Sequence, residues 1–327
     1  METSVLDEPL ALKVRSQIAL ESREDLGYSV FWRKHLRDFD QLKPLDWSGI
    51  GGGAFLGLTP RRFGPMVRAR LEIGLSSLLS RAPRLSRASE PKILTDALCR
   101  AQDRANDYDV WRHSHVLRTL EEHNALSGSR ICVIGDGLGT MSGLLALRNL
   151  KSSQQIFVVN LPEMLLLDYL MLRRMGLGQN LFFLVESKLS MAATLGSSNV
   201  RFIFVPAANA EVLRDCNIDL FINIDSMQEM THAAIDQYFS IVESNSAAFY
   251  CCNMVRRQLR DGTINEFSKF PWKSSRYRLD GEPPWLRRFI QFRWPWGRFR
   301  APVGIFCTPH LHRLTYGPSR KEPVFEQ

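Results

Sequence analysis

Nowhere in these 327 residues do eighteen apolar side chains run together, so no membrane-spanning helix is expected. The opening residues, Met1-Glu-Thr-Ser-Val-Leu-Asp-Glu8, have early acids and no apolar core; no signal peptide is expected from them. No C-x-x-C pair occurs. The six cysteines (Cys99, Cys132, Cys216, Cys251, Cys252, Cys307) are scattered, and Cys132 and Cys251 fall in strand-like runs. They read as reduced core thiols of a cytoplasmic protein, not as a disulfide framework. No cluster has the spacing of a divalent-metal site, so no metal is expected. No recognised nucleic-acid module is visible, so no nucleic-acid partner is expected.

What the chain does have is material for a core. It is 45% apolar, enough at this length for one large domain, or one domain with a helical appendage. The net charge of +8 is unevenly spread and favours acidic partners or surfaces.

The most informative stretch is Arg130-Ile-Cys-Val-Ile-Gly-Asp-Gly-Leu-Gly-Thr-Met-Ser-Gly143. Ile131 to Ile134 is short, uncharged and β-branched, the pattern of a buried parallel strand. Gly135, Gly137 and Gly139 follow, then Met141, Leu144, Leu145 and Leu147 on a helical face. Strand, glycine turn and helix open a nucleotide-binding βα unit. A dinucleotide fingerprint needs its third glycine at position 140, where this chain has Thr140. A nicotinamide-linked oxidoreductase is therefore disfavoured. The G-x-G-x-G spacing resembles motif I of class I methyltransferases, which bind S-adenosylmethionine.

Alternating β and α patterns continue from residue 130, the signature of a doubly wound sheet. Strands are expected at Gln155–Val159, Arg201–Val205, Asp219–Ile224 and Ala248–Cys252. Ligands bind at the carboxyl edge of such a sheet. Leu181–Val185 reads as a short strand or a packing loop. Val303 to Tyr316 reads as a late strand or strand pair. Residues 1–104 are predicted to be a helical N-terminal cap on the substrate side, 105–317 the catalytic domain and 318–327 a frayed tail. Within the first region, Leu10 to Leu20, Val30 to Phe39 and Val67 to Leu79 carry helical apolar faces, and Trp47 to Gly53 reads as a hinge or substrate-side loop. Leu94 to Glu122 is helical in pattern. Its segment Tyr108-Asp-Val-Trp-Arg-His-Ser-His115 could lid a cofactor and offer Tyr108, Arg112 or His115 to substrate; its aromatics could equally pack on the sheet. Between Trp285 and Arg300 stand five arginines and six aromatics with no acid. This is either a basic loop that packs its tryptophans, or a surface for nucleic-acid stacking, a membrane or an acidic saccharide, of which a phosphate- or carboxylate-bearing glycan, free or lipid-linked, is preferred.

Three motifs together resemble the sugar O-methyltransferases of class I: Val133-Ile-Gly-Asp-Gly-Leu-Gly139, Asn160-Leu-Pro-Glu163, and Asp219-Leu-Phe-Ile-Asn-Ile-Asp-Ser-Met-Gln-Glu-Met230. The last matches that family's Asn-x-x-Ser-x-x-Glu-Met pattern at Asn223, Ser226, Glu229 and Met230. The resemblance spans about residues 105–255. It implies an α/β Rossmann-like class I methyltransferase sheet, S-adenosylmethionine as cofactor, and methyl transfer to a hydroxyl of a saccharide or glycosylated small molecule. It also implies cofactor contacts from Gly135, Asp136, Gly137, Gly139, Asn160, Leu161, Asn209, Asn223 and Ser226. Asn160 departs from the family, which places Asp there. A small natural-product acceptor, or a non-catalytic binding or scaffold protein of the same fold, are the alternatives.

A sugar hydroxyl is a weak nucleophile, so its proton must be taken up as it attacks. The end of the fourth strand supplies Asp225, Glu229 and His232, with Glu229 and His232 placed to share one helix face. Ser226-Met-Gln-Glu229 also reads as a capping box without any chemistry. His310 and His312 alternate on a strand and point the same way, more in keeping with a solvent face than with the cleft.

Overall fold

The computed structural model describes residues 8–20, 63–80, 90–148, 154–197, 199–214, 216–259, 261–273, 277–286, 289–292, 303–306 and 309–316. The apolar patterns at 30–39, the glycines at 51–53, Cys307, most of the basic 285–300 stretch and the tail after 317 lie outside the described residues.

Among the described residues, the helices ahead of the sheet are α1 (Pro9–Leu20), α2 (Phe63–Ser80), α3 (Glu90–Ala101) and α4 (Tyr108–Glu122). The expected helical stretch before the sheet is thus two helices, and α4 starts where Asp107 accepts a hydrogen bond from the Val110 N–H, a side-chain N-cap. Then follow β1 (Arg130–Ile134), α5 (Thr140–Arg148), β2 (Gln155–Asn160), α6 (Pro162–Arg174), β3 (Phe182–Leu184), α7 (Lys188–Leu195), β4 (Phe202–Pro206), β5 (Leu220–Ile224), α8 (His232–Ser244) and β6 (Ala248–Met254). The chain closes with β7 (Arg256–Gln258), β8 (Ile264–Glu266), β9 (Tyr277–Gly281), β10 (Phe289–Phe292), β11 (Val303–Phe306) and β12 (His310–Thr315). The open segment at 181–185 is therefore a strand, β3, on the sheet edge.

Eight strands form one sheet in the order β3-β4-β2-β1-β5-β6-β12-β9. The pairs from β3 to β6 are parallel, and β12 runs antiparallel to both β6 and β9. Side chains alternate between two faces, as the strand period requires. Ile131, Val133, Ile156, Val158, Phe204 and Ile222 pack under α3 to α6. Cys132, Ile134, Phe157, Val159, Val205 and Phe221 pack against α8 and Phe267 on the other side. Both faces are covered, which explains strands with hardly a polar residue. The five cysteines among the described residues are buried and form no disulfide. No helix there is long and apolar enough to cross a membrane.

The order reverses at β1: the chain builds outward through β2 and β4, then returns to place β5 on β1's other side. That reversal sets a switch point at the carboxyl ends of β1 and β5, the place where doubly wound sheets hold ligands.

Candidate active site at the β1/β5 switch point

The turn after β1 has left-handed backbone at all three glycines, with φ of 74° at Gly135, 83° at Gly137 and 59° at Gly139. Their surroundings differ. A Cβ on Gly135 would sit 2.3 Å from Ser226 Oγ, so this glycine is packed. A Cβ on Gly137 would meet only Met164 Cε, at 3.9 Å. Gly137 is thus the member of the turn whose bare backbone leaves room for a ligand. Asp136 accepts from the N–H groups of Met141 (2.8 Å) and Ser142 (2.9 Å), placing a carboxylate on the N-terminus of α5. Buried Asp168 braces the turn, accepting from the Gly139 N–H at 2.8 Å and from Asn160 Nδ2 at 3.0 Å. Burial drives the Asp168 carboxyl well above the usual carboxylate range. Asn160, expected to contact the cofactor, here gives its amide to Asp168 and accepts from the Leu161 N–H at 3.0 Å. Leu161 begins α6 as its N-cap. Asn209 lies in the 3-10 turn Ala207–Leu213 after β4.

The turn after β5 is stitched to the turn after β1. Asn223 Nδ2 donates to the Ile134 carbonyl at 3.0 Å, and Ser226 Oγ donates to the same oxygen at 3.1 Å. Asn223 is fully buried, and its carbonyl oxygen accepts from Asn253 Nδ2 at 2.8 Å. The capping-box expectation fails for a physical reason: Ser226 spends its hydroxyl on β1 and caps nothing. Thr231 caps α8 instead, through the Ala234 N–H. Consequently Glu229 sits in a short 3-10 turn, Met227–Glu229, and does not share a helix with His232.

Asp225 has a left-handed backbone, φ 58°, a conformation that an Asp tolerates better than most side chains. It aims its carboxylate at α4, where it pairs with Arg112. His310 Nε2 lies 3.0 Å from the other carboxylate oxygen. His310 is 6% exposed, so the solvent-face expectation for it is corrected. β12 runs antiparallel, which brings its first residue to the carboxyl edge beside Met254. Arg112 also binds Asp109 at 2.8 Å and lies over the Tyr108 ring, 5.6 Å from its centroid. Burial raises the Tyr108 hydroxyl to about 12. Burial also works to raise Asp109, but His113, Arg112 and Arg104 together hold it below the usual range. Arg104, fully buried, binds Asp107 at 3.1 Å, Asp109 at 3.3 Å and Thr140 Oγ1 at 3.0 Å.

Glu229 lies within electrostatic reach of Arg112 in this cluster. Burial pushes its carboxyl up to about 7, against the pull of Arg257 and Arg112. Arg257 Nη2 stands 3.7 Å away. A carboxyl at that value exchanges its proton near neutral pH, as a general base must.

The sequence-derived residues therefore divide. Asp225, Glu229, Arg112 and Tyr108 gather beside the glycine turn. His232 is exposed, with Nε2 3.1 Å from the Ile264 carbonyl. His115 lies one turn further along α4, where it stacks on Trp285. Sequence reasoning missed His310, Asp109, Arg104 and Asp168. Only His310 left a trace, as half of a His-x-His pair. Among the described residues no group of His, Cys, Asp and Glu could hold a metal ion.

No known family matches the chain, and no curated protein does. Among solved structures it overlaps a proposed O-methyltransferase from Klebsiella pneumoniae at 15% identity, covering 76% of this chain and 99% of that one, TM-score 0.40. It overlaps a methyltransferase from Podospora anserina with S-adenosylhomocysteine bound at 12%, over 76% and 95%, TM-score 0.38. It overlaps an S-adenosylmethionine-dependent methyltransferase from Clostridium acetobutylicum at 17%, over 65% and 76%, TM-score 0.32. These overlaps are too distant to bring any activity or acceptor to this chain. The fold rests on the chain's own strand order: a parallel sheet reversing at β1, closed by an antiparallel β12, is a Rossmann-like, doubly wound arrangement.

Proposed function

We propose that this protein is an S-adenosylmethionine-dependent O-methyltransferase acting on a hydroxyl of a saccharide or glycosylated small molecule. One observation carries the reading. Ser226 and Asn223 tie the acidic turn after β5 to the carbonyl that ends β1, so a near-neutral carboxyl and an open glycine turn flank one crevice. The donor's fit is judged on Gly137, whose missing Cβ leaves the space a ligand backbone would fill. Gly137 and the neighbouring backbone would hold the cofactor, with Asp168 keeping the turn in shape. When bound, S-adenosylmethionine supplies a methyl already activated by its positive sulfur.

The chain's own residues then do two things. They align the acceptor, and they take its proton. Glu229, poised about 7, accepts the hydroxyl proton at a carboxylate oxygen. Asp225 is already held by Arg112 and His310, so its task is to fix Arg112 at the crevice. The test is to incubate the full chain with S-adenosylmethionine and a panel of saccharides and other alcohols, then weigh the products. The expected result is a methylated saccharide, formed at least about a hundred-fold more slowly by Glu229→Gln. Donor binding with no methylated product from any hydroxyl would overturn the proposal.

A further inference from the structure

The two elements that frame the ion cluster also frame a second concavity. Arg112 and His115 share a face of α4, and His310 and His312 share a face of β12. The first of each pair meets Asp225; the second lines a cavity of about 260 Å³. Trp285, Thr119, Leu279 and Pro284 complete its walls. The volume is just under the usual range for drug-sized ligands, about 300–1,000 Å³, and suits a single small ring.

His115 is the unusual wall. It is 2% exposed, stacked on Trp285 at 5.2 Å and edge-on to Trp111 at 5.1 Å. Among the described residues neither of its ring nitrogens has a hydrogen-bond partner. His312, 4% exposed, meets the Tyr250 hydroxyl through Nδ1 at 3.2 Å and lines the same cavity. Burial holds both rings neutral, pushed down to about 4. A neutral imidazole offers one donor and one acceptor. A hydroxyl matches both roles, since it donates and accepts. The charged wall is mainly acidic: Glu122, Asp280 and Glu282 against Arg118. Arg118 binds Glu122 at 2.7 Å, and Asp280 is held by Arg313 at 2.9 Å. An anion would meet carboxylates and find no free guanidinium in this wall.

We infer that this cavity binds one uncharged, hydroxyl-rich ring through His115 and His312, and that it is where the acceptor's body sits. The second half of that statement rests on the methyl-transfer reading; the first does not. It also runs against the acidic glycan that the arginines of 285–300 suggest.

The experiment is ligand-observed NMR on the full chain. Methyl hexosides, hexose 6-phosphates and glucuronate are the probes, with wild type, His115→Phe and His312→Phe compared and each variant's melting temperature recorded. Saturable binding of the neutral hexoside is expected, with the anionic forms at least ten-fold weaker. His115→Phe keeps the stack on Trp285, so it should lose ten-fold or more in affinity with no fall in melting temperature. No binding of neutral rings, equal binding of anionic ones, or a destabilised variant that still binds would overturn the inference. Calorimetry with S-adenosylhomocysteine separates the two claims. Sugar binding without it leaves the cavity and removes the transfer reading; the reverse removes the cavity alone.

Discussion

At the residue scale, the three glycines after β1 look equivalent in the sequence and are not. Gly137→Ala meets only the Met164 methyl, at ordinary contact distance, so its cost is the left-handed backbone alone, about 1–2 kcal/mol, yet under the proposed function the new methyl stands where the ligand would lie. Gly135→Ala adds a collision with Ser226 Oγ and should cost about 1–3 kcal/mol more. Denaturant melts of the two variants check the order. Glu229 gives a second prediction. Its folded value, about 7, lies above the ordinary 4.5. Between those limits the native state binds more protons than the unfolded one, so stability is fully present at acid pH and falls as pH rises through 7. Glu229→Gln should therefore be more stable than wild type at pH 8, by on the order of 2 kcal/mol. It should also remove the ascending limb of the rate near pH 7. A gain in stability with an unchanged pH–rate profile would take the proton-acceptor role away from Glu229. The turn was legible because φ above zero selects glycine. The carboxylates at 225 and 229 were legible by position after a strand. The roles of Ser226 and Asn160 were not, since each bonds a partner that only the tertiary fold supplies.

At the scale of elements, α4 is the hinge of the account. Its first turn is anchored by Arg104, whose guanidinium reaches Asp107, Asp109 and Thr140 with no exposed surface. Removing one member of a buried ion pair strands the others, at a cost of about 3–5 kcal/mol. Arg104→Met should lose that much in urea melts and loosen α4 from α5; a loss under 1 kcal/mol would show the network to be dispensable. The helix itself was readable from its apolar spacing and the Asp107 cap. Its partner was not, because Arg112 and Asp225 are 113 positions apart. The strands were readable as uncharged runs. The burial of β12 was not, because a His-x-His alternation fixes that two side chains share a face but not which face is covered. Trp285 stands at the start of a stretch that reads either as a loop packing its tryptophans or as a binding surface; it is 4% exposed and packs between His115 and His312, as the first reading has it. A tryptophan beside arginines gives no sign of the cavity it will line.

For the whole molecule, the sheet sorts its ionisable groups by edge and face. His115 and His312 are held neutral inside, down to about 4 from an ordinary 6.5. Below 6.5 the unfolded chain binds protons that the native rings refuse, so stability is present above that pH and is lost as pH falls toward 4. Each ring contributes on the order of 2–3 kcal/mol to that loss. Melting temperature should drop between pH 6.5 and 4.5, and His115→Phe should flatten the drop; an unaltered slope would mean His115 is not the group that titrates. The doubly wound architecture was foreseeable from alternating patterns, and with it the edge on which ligands bind. The crevice between β1 and β5 followed only from the observed strand order. The account turns on whether that crevice takes an S-adenosyl ligand against Gly137. Isothermal titration of the full chain with S-adenosylhomocysteine, for wild type and for Gly137→Val, measures this directly. The account predicts saturable binding in wild type and its loss in the variant, with the variant still folded. No heat of binding in wild type at millimolar ligand, or equal binding by both proteins, would contradict it.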